Sequence, residues 1–304
     1  MKGQLRSLFV LMLLLLVAGA VASVGGASPT PGARTAGAVA VPGAGHPWRP
    51  GVRPGRFVAG RPHLAGTPVA CGNVISVDTT LSSDLHCLGD GLVVQAGVTL
   101  DLGGHTLGGS GSGFGIFVEA EGVTIENGTV TGFGVGVQLN SVPYFASGLT
   151  MRNMTVSRNS GDGVYLQVYN RGIQIINCTI TRNGGNGIAA DYGDDGSLFQ
   201  GNQVTRNGEH GLRIYFATGR LIDNQAERNG ADGIQVSDYD SFAPFYHLKG
   251  NRADRNALLG IEVVLYTAFP SGPFLVDDQG GNSASGNGNP LQCVGPGLTC
   301  TSHP

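Results

Sequence analysis

Five stretches of fourteen residues decide the fold of this chain: MRNMTVSRNSGDGV at 151–164, IINCTITRNGGNGI at 175–188, FQGNQVTRNGEHGL at 199–212, LIDNQAERNGADGI at 221–234 and LKGNRADRNALLGI at 248–261. In each, the first, sixth and fourteenth residues are apolar and the ninth is Asn. The rows therefore read Met151, Val156, Asn159, Val164 and onward to Leu248, Ala253, Asn256, Ile261. An earlier row, Ile125, Val130, Phe133 and Val137, keeps the rule with Phe in place of Asn and the last spacing shorter by one. Spacing fixed inside a unit marks each unit as one structural layer stacked on the next.

Units advance by 22 to 27 residues, the range of solenoid coils. Their apolar runs are short and alternate in and out, as in Val-Tyr-Leu at 164–166 and Leu-Arg-Ile at 212–214, which is strand periodicity. The Gly and Asn between them favour turns and left-handed backbone and exclude helix. The chain is expected to be all-β, a single-stranded parallel β-helix of about eight coils. Asn159, Asn183, Asn207, Asn229 and Asn256 should stack in one turn, each amide bonding the next at roughly 4.8 Å. A second Gly/Asn column precedes the middle strand: Asn153, Asn177, Asn202, Asn224 and Asn251. Ladder geometry explains the Asn-x-Thr triplets at Asn127, Asn153 and Asn177 better than glycosylation does.

The stretches LDLGGHTLGG (100–109) and VTIENGTVTGFGVGV (123–137), followed by the Arg-Asn coils, resemble secreted right-handed parallel β-helix repeat proteins of the pectin-lyase-like fold. The resemblance covers about residues 71–287. It implies right-handed coiling and specifies fold far better than activity, because the same coils serve lyases, epimerases, hydrolases, accessory proteins and binding proteins.

Three regions are expected. Lys2 and Arg6 precede an apolar run at 8–17 and small residues at 18–22, the pattern of a signal peptide at 1–22 and too short for a membrane span. Residues 23–68 are a Pro/Gly/Ala-rich basic linker without periodicity. Residues 69–304 form the β-helix domain, with capping segments at 71–95 and 288–304. Export suits the cysteines, for which Cys71–Cys87 and Cys293–Cys300 are the expected disulfides bracing the ends, with Cys178 a buried apolar filler. The overall charge of −3 conceals a basic leader and an acidic body, with 21 acidic against 11 Lys and Arg residues from Val69 onward. Such a body opposes nucleic acid. The expectation is a monomer, secreted or held at the cell envelope, with no membrane span.

Length varies mainly between the third apolar residue and the next layer: 11 residues from Val164 to Ile175, 14 from Ile234 to Leu248. Insertions thus gather on one edge, which in solenoids is often the binding face. The outward residues of the adjoining strand are Tyr165, Ala189, Arg213, Gln235 and Glu262, and beyond them recur Tyr169, Tyr192, Tyr215 and Tyr239. Polar groups bordered by aromatic rings suit a carbohydrate chain, since rings stack on the apolar faces of sugars. Candidate substrate-binding residues are Tyr165, Tyr169, Tyr192, Tyr215, Tyr239, Gln235 and Glu262.

What the resemblance implies goes further. Lyases and epimerases of this fold work on that face, often with Ca²⁺ on clustered Asp and a basic residue as proton acceptor. Carried over by position, Asp191, Asp194, Asp195 and Asp238 would be Ca²⁺ ligands. Asp191, Arg213, Asp238 and His247 would be the catalytic candidates. The sequence departs from the alginate-epimerase Asp-Pro-His-Glu run and from the polygalacturonase and pectate-lyase signatures. Two functions remain side by side: modification of a polysaccharide by a lyase- or epimerase-like enzyme, and a non-catalytic surface or adhesion module. Copper delivery fits poorly, because His86, His105, His210 and His247 are scattered and Met151 and Met154 occupy core-like positions.

Overall fold

The computed structural model describes residues 68–95, 97–140, 148–167, 171–191, 196–215, 218–238, 246–265 and 276–302. The leader and all but one residue of the linker lie outside these, as do Tyr169, Tyr192, Asp194, Asp195 and Tyr239; of Asp238 only the backbone is described.

One coil shows how the sequence bends. Gln174–Ile176 is a strand, Asn177 takes a left-handed φ of 52°, Thr179–Thr181 is a second strand, and Arg182 turns again at φ 59°. After Asn183 and a glycine-rich corner, Ile188–Ala190 forms the third strand. Repetition builds a ten-stranded sheet from the third strands and a 16-stranded sheet from the first two, all pairings parallel and no helix among the described residues. About seven turns result, in keeping with the eight or so expected, and shorter strands at either end pair in register with them. Cys71–Cys87 and Cys293–Cys300 are both disulfides at those ends.

The register is the one the rows demand. Met151 pairs with Ile175, Ile175 with Phe199, Phe199 with Leu221 and Leu221 with Leu248. The Val156 and Val164 rows stack likewise, and all are buried in one continuous core. Burying such a side chain contributes about 1.5–3 kcal/mol, but without directionality.

Direction comes from Asn. The side-chain amides of Asn159, Asn183, Asn207 and Asn229 each donate to the Oδ1 of the next rung at 2.9, 3.0, 3.1 and 3.0 Å, and Asn256 continues to Asn287 at 3.0 Å. Each Oδ1 also accepts the preceding rung's backbone N–H, as Asn207 does from Asn183 at 3.1 Å. Gln292 closes one end by accepting from Asn287 at 2.8 Å, and the Phe133 N–H closes the other on Asn159 at 2.9 Å. Every polar atom is thus used in a buried column.

The second Asn column is two columns, one residue apart. In the earlier coils the left-handed corner itself is Asn (Asn127, Asn153, Asn177), and the residue after it points inward as Gly128, Met154 or Cys178. From Gly201 onward the corner is Gly or Asp, and the next residue becomes a buried ladder of Asn202, Asn224, Asn251 and Asn282. Gly and Asn both tolerate positive φ, which hides the switch from a reading by composition. Cys178 is buried, and burial pushes its thiol up to about 11, as befits a filler.

Replacing Asn207 by Leu strands the amide of Asn183 and the oxygen of Asn229 in the interior. A loss of about 3 kcal/mol is expected from unsatisfied buried groups, readable as a lowered midpoint of chemical unfolding. At the neighbouring corner Arg206 holds φ 57°, a conformation costing an ordinary residue about 1–2 kcal/mol. Arg206→Gly should therefore be neutral or slightly stabilising and Arg206→Val destabilising in the same assay.

Candidate functional site on the ten-stranded sheet

Glycine brings the third strand close to its neighbours. A Cβ at Gly187 would meet Gly211 O at 2.6 Å and Asn207 Nδ2 at 2.7 Å, so the residue before each third strand is held small. The strand that follows then presents one outward residue per coil: Tyr165 pairs with Ala189, Ala189 with Arg213, Arg213 with Gln235, and Gln235 with Glu262. Ladder spacing sets these about 4.8 Å apart. The column extends back through Gln138, Phe117 and Val93, all three buried. At the ends of these strands Leu166 stacks on Ala190, and Tyr215 on Ser237; the insertions that follow lie outside the described residues.

Asp191 follows directly on the strand Ile188–Ala190 and links two outward residues. Its Oδ2 accepts the Tyr165 hydroxyl at 3.0 Å and its Oδ1 accepts Arg213 at 2.9 Å. The Arg213 guanidinium also lies 5.6 Å from the centre of the Tyr215 ring, a cation–π distance. Burial, reinforced by the Asp191 charge, holds the Tyr165 phenol far above its ordinary range. It is a hydrogen-bond donor at every physiological pH and no base.

A second tier runs along the turn just before the strands. Asn186 donates to Asp162 at 3.1 Å and to Glu209 at 3.0 Å, and its Oδ1 accepts the His210 N–H at 3.2 Å. His210 Nδ1 lies 3.3 Å from the Asp232 N–H and 3.2 Å from Asp232 Oδ2. A neutral ring accepts from the amide; a protonated ring donates to the carboxylate. Gln235 Nε2 donates to Glu262 at 2.7 Å and reaches Asp232 Oδ2 at 3.4 Å. Burial raises the Glu262 carboxyl, the Asp232 charge raises it further, and the Gln235 bond acts against them. Burial likewise raises Asp162 against the bonds from Asn186.

Of the residues singled out in the sequence, the structure brings together Tyr165, Asp191, Arg213, Tyr215, Gln235 and Glu262. It separates His247, which belongs to the strand Tyr246–Lys249 of the 16-stranded sheet and pairs with Asp277 at 2.7 Å. The second tier was missed. Its signal is the polar residue before the glycine in successive layers, Asp162, Asn186, His210 and Asp232, where a histidine that looked scattered is one rung of four.

Of the expected Ca²⁺ ligands, only Asp191 has its side chain among the described residues. Asp191 already has a cation in Arg213, and among the described residues no group of three or more His, Cys, Asp or Glu is placed to hold a metal. Asp194 and Asp195 fall outside them. No helix of the described residues is long and apolar enough to cross a membrane.

A carboxyl whose folded-state titration is raised stabilises below its unfolded value and loses that contribution as pH rises through the folded one. Stability should thus fall from Glu262 titration as pH climbs above the ordinary glutamate range of about 4.3. Glu262→Gln should flatten that part of the curve, read as the difference in melting temperature from the unmodified protein across pH 4 to 7.

Comparison with known proteins follows the architecture. Among solved structures, a double mutant of the periplasmic alginate epimerase AlgG aligns with a TM-score of 0.50 at 13% identity, over 76% of this chain and 69% of that one. The A-module of the mannuronan C-5 epimerase AlgE4 of Azotobacter vinelandii gives 0.49 at 15% identity, covering 78% of each chain. Pectate lyase Pel9A gives 0.48 at 15% identity over 77% of this chain, which spans 66% of the lyase. At such identities the likeness is one of fold. No match was found among the curated proteins. Residues 114–287, more than half of the sequence, match the right-handed β-helix region family, and the chain belongs to it.

Proposed function

We propose that the outward face of the ten-stranded sheet binds an extracellular or cell-envelope polysaccharide. The observation behind this reading is the in-register column of Tyr165, Arg213, Gln235 and Glu262, joined by Asp191 and flanked by Tyr215. Its repeat of about 4.8 Å approximates the rise of one sugar unit, so a linear glycan along the solenoid axis meets polar groups of successive coils, with Asp191 serving the coil whose column residue is Ala189. Aromatic faces and hydrogen-bonding side chains are what sugar recognition requires. Two disulfides and the leader pattern support an exported protein.

Binding without turnover fits the Tyr165–Asp191–Arg213 cluster best. Arg213 is committed to a carboxylate and the Tyr165 phenol is held protonated, so neither is a ready proton acceptor for a lyase or epimerase. Modification of the glycan is the second reading, favoured by one feature. Glu262 keeps its proton beyond the ordinary range beside the buried Asp232, the pairing of environments used in acid–base catalysis.

The test is binding of the full chain to neutral and uronate polysaccharides, with and without calcium, uronates coming first because AlgG is named an alginate epimerase. Arg213→Ala and Tyr165→Ala should each weaken retention about tenfold, equivalent to roughly 1.4 kcal/mol. Absence of binding to every polymer, or affinities unmoved by both substitutions, would sink the proposal. Unsaturated or epimerised products that vanish in Glu262→Gln while binding persists would decide for the enzyme.

A further inference from the structure

A different corner of the coil, between the 16-stranded sheet and the Asn ladder, holds Arg158, Arg182, Arg206, Arg228 and Arg255 in five consecutive layers. Their backbones form one ladder: each N–H donates to the next coil at 3.3, 3.1, 3.0, 3.0 and 3.0 Å in that order. The five positions therefore repeat every 4.8 Å or so along a line of about 19 Å. All five are exposed, and none has a side-chain hydrogen bond or ion pair among the described residues. They are five of the 11 Lys and Arg residues from Val69 onward, in an otherwise acidic domain. The acidic groups beside the line are Glu227 and Asp254, one residue before Arg228 and Arg255, and both are engaged by Arg252.

Folding does not call for arginine here. All five residues sit at left-handed φ between 54° and 59°, and the same corner at the two ends of the row is Gly132 and Gly286. Like charges one coil apart repel as well. Locally unfavourable choices repeated in register point to use by a partner.

We propose that this ladder is a second binding site, distinct from the face of the ten-stranded sheet, for an anionic glycan laid along the solenoid with one charged group per coil. Guanidinium forks match carboxylate and sulfate geometry. The bordering sheet surface supplies partners for sugar hydroxyls: half-buried Thr181 and Thr205 stack in one column, their hydroxyls 3.0 Å apart, and exposed Gln203 stacks on Gln225 in the next. These columns hold no aromatic side chain on which unpaired bases could stack, which favours a glycan over single-stranded nucleic acid.

The experiment measures affinity of the full chain for polygalacturonate against salt, with dextran as the neutral polymer and poly(dT) as the nucleic-acid probe. The triple variant Arg182→Gly, Arg206→Gly, Arg228→Gly suits the corner and leaves the Arg213 face intact; thermal melting confirms its fold. Polygalacturonate affinity should fall at least tenfold, and the slope of log affinity against log salt should shrink by about two, roughly 0.7 for each charge removed. The triple Arg→Lys variant should retain most of both. Dextran retention should be unchanged by the triple Gly variant. Unchanged polygalacturonate affinity and slope in that variant would overturn the inference, as would tighter binding of poly(dT) than of polygalacturonate by the unmodified chain. Loss of polygalacturonate binding in Arg213→Ala alone, with the triple variant unaffected, would reject the ladder and leave the sheet face standing.

Discussion

The register of the coils from Phe133 to Gln292, and of the surface they carry, rests on the buried asparagine column. Apolar packing holds the coils together, but aliphatic contacts tolerate sliding because they lack direction. A side-chain amide that must meet both the oxygen of the next rung and a main-chain carbonyl does not. Asn207 illustrates the constraint: it donates to Asn229 at 3.1 Å and to Ile180 O at 3.3 Å, while accepting from Asn183 at 3.0 Å. Slipping one coil by one residue would break these bonds and turn every outward side chain of that coil inward. Register fixed inside is what makes Tyr165, Arg213, Gln235 and Glu262 a column outside.

The same logic accounts for two unlike surfaces on one solenoid. On the ten-stranded sheet, charges answer one another: Arg213 finds Asp191, Gln235 bridges Asp232 and Glu262, and His210 faces Asp232. That face is a preorganised network whose groups are already oriented. At the arginine corner the charges repeat without an answer within the described residues. One surface is finished, and the other asks for a counter-charge from outside.

Fold was readable in the sequence because inward positions obey strict spacing: the rows through Met151, Val156 and Val164 pair in the structure as the fourteen-residue stretches imply. Outward positions on a strand were readable for the same reason, since alternation places Tyr165 and Arg213 opposite to Val164 and Leu212. Where spacing varies, the reading failed. His247 follows the long stretch after Asp238 and looks like part of that insertion, yet it already belongs to the next coil's first strand, paired in register with Arg220 and Asp277. Asn202 and Asn177 look alike in a list of asparagines but differ by one position, and so by the inside and outside of the wall. Asp162, Asn186, His210 and Asp232 were hidden because one position draws on four layers and three residue types. Their common role, capping the next coil's backbone, emerges only once the layers are superposed.

The most direct measurement is side-chain amide exchange followed by NMR. If the ladder sets the register, the amide protons of Asn183, Asn207, Asn229 and Asn256 exchange as slowly as the core backbone, and each shows a through-space contact to the next rung. Rapid exchange of these four amides, or contacts between rungs that skip or shift a coil, would contradict the account at its root.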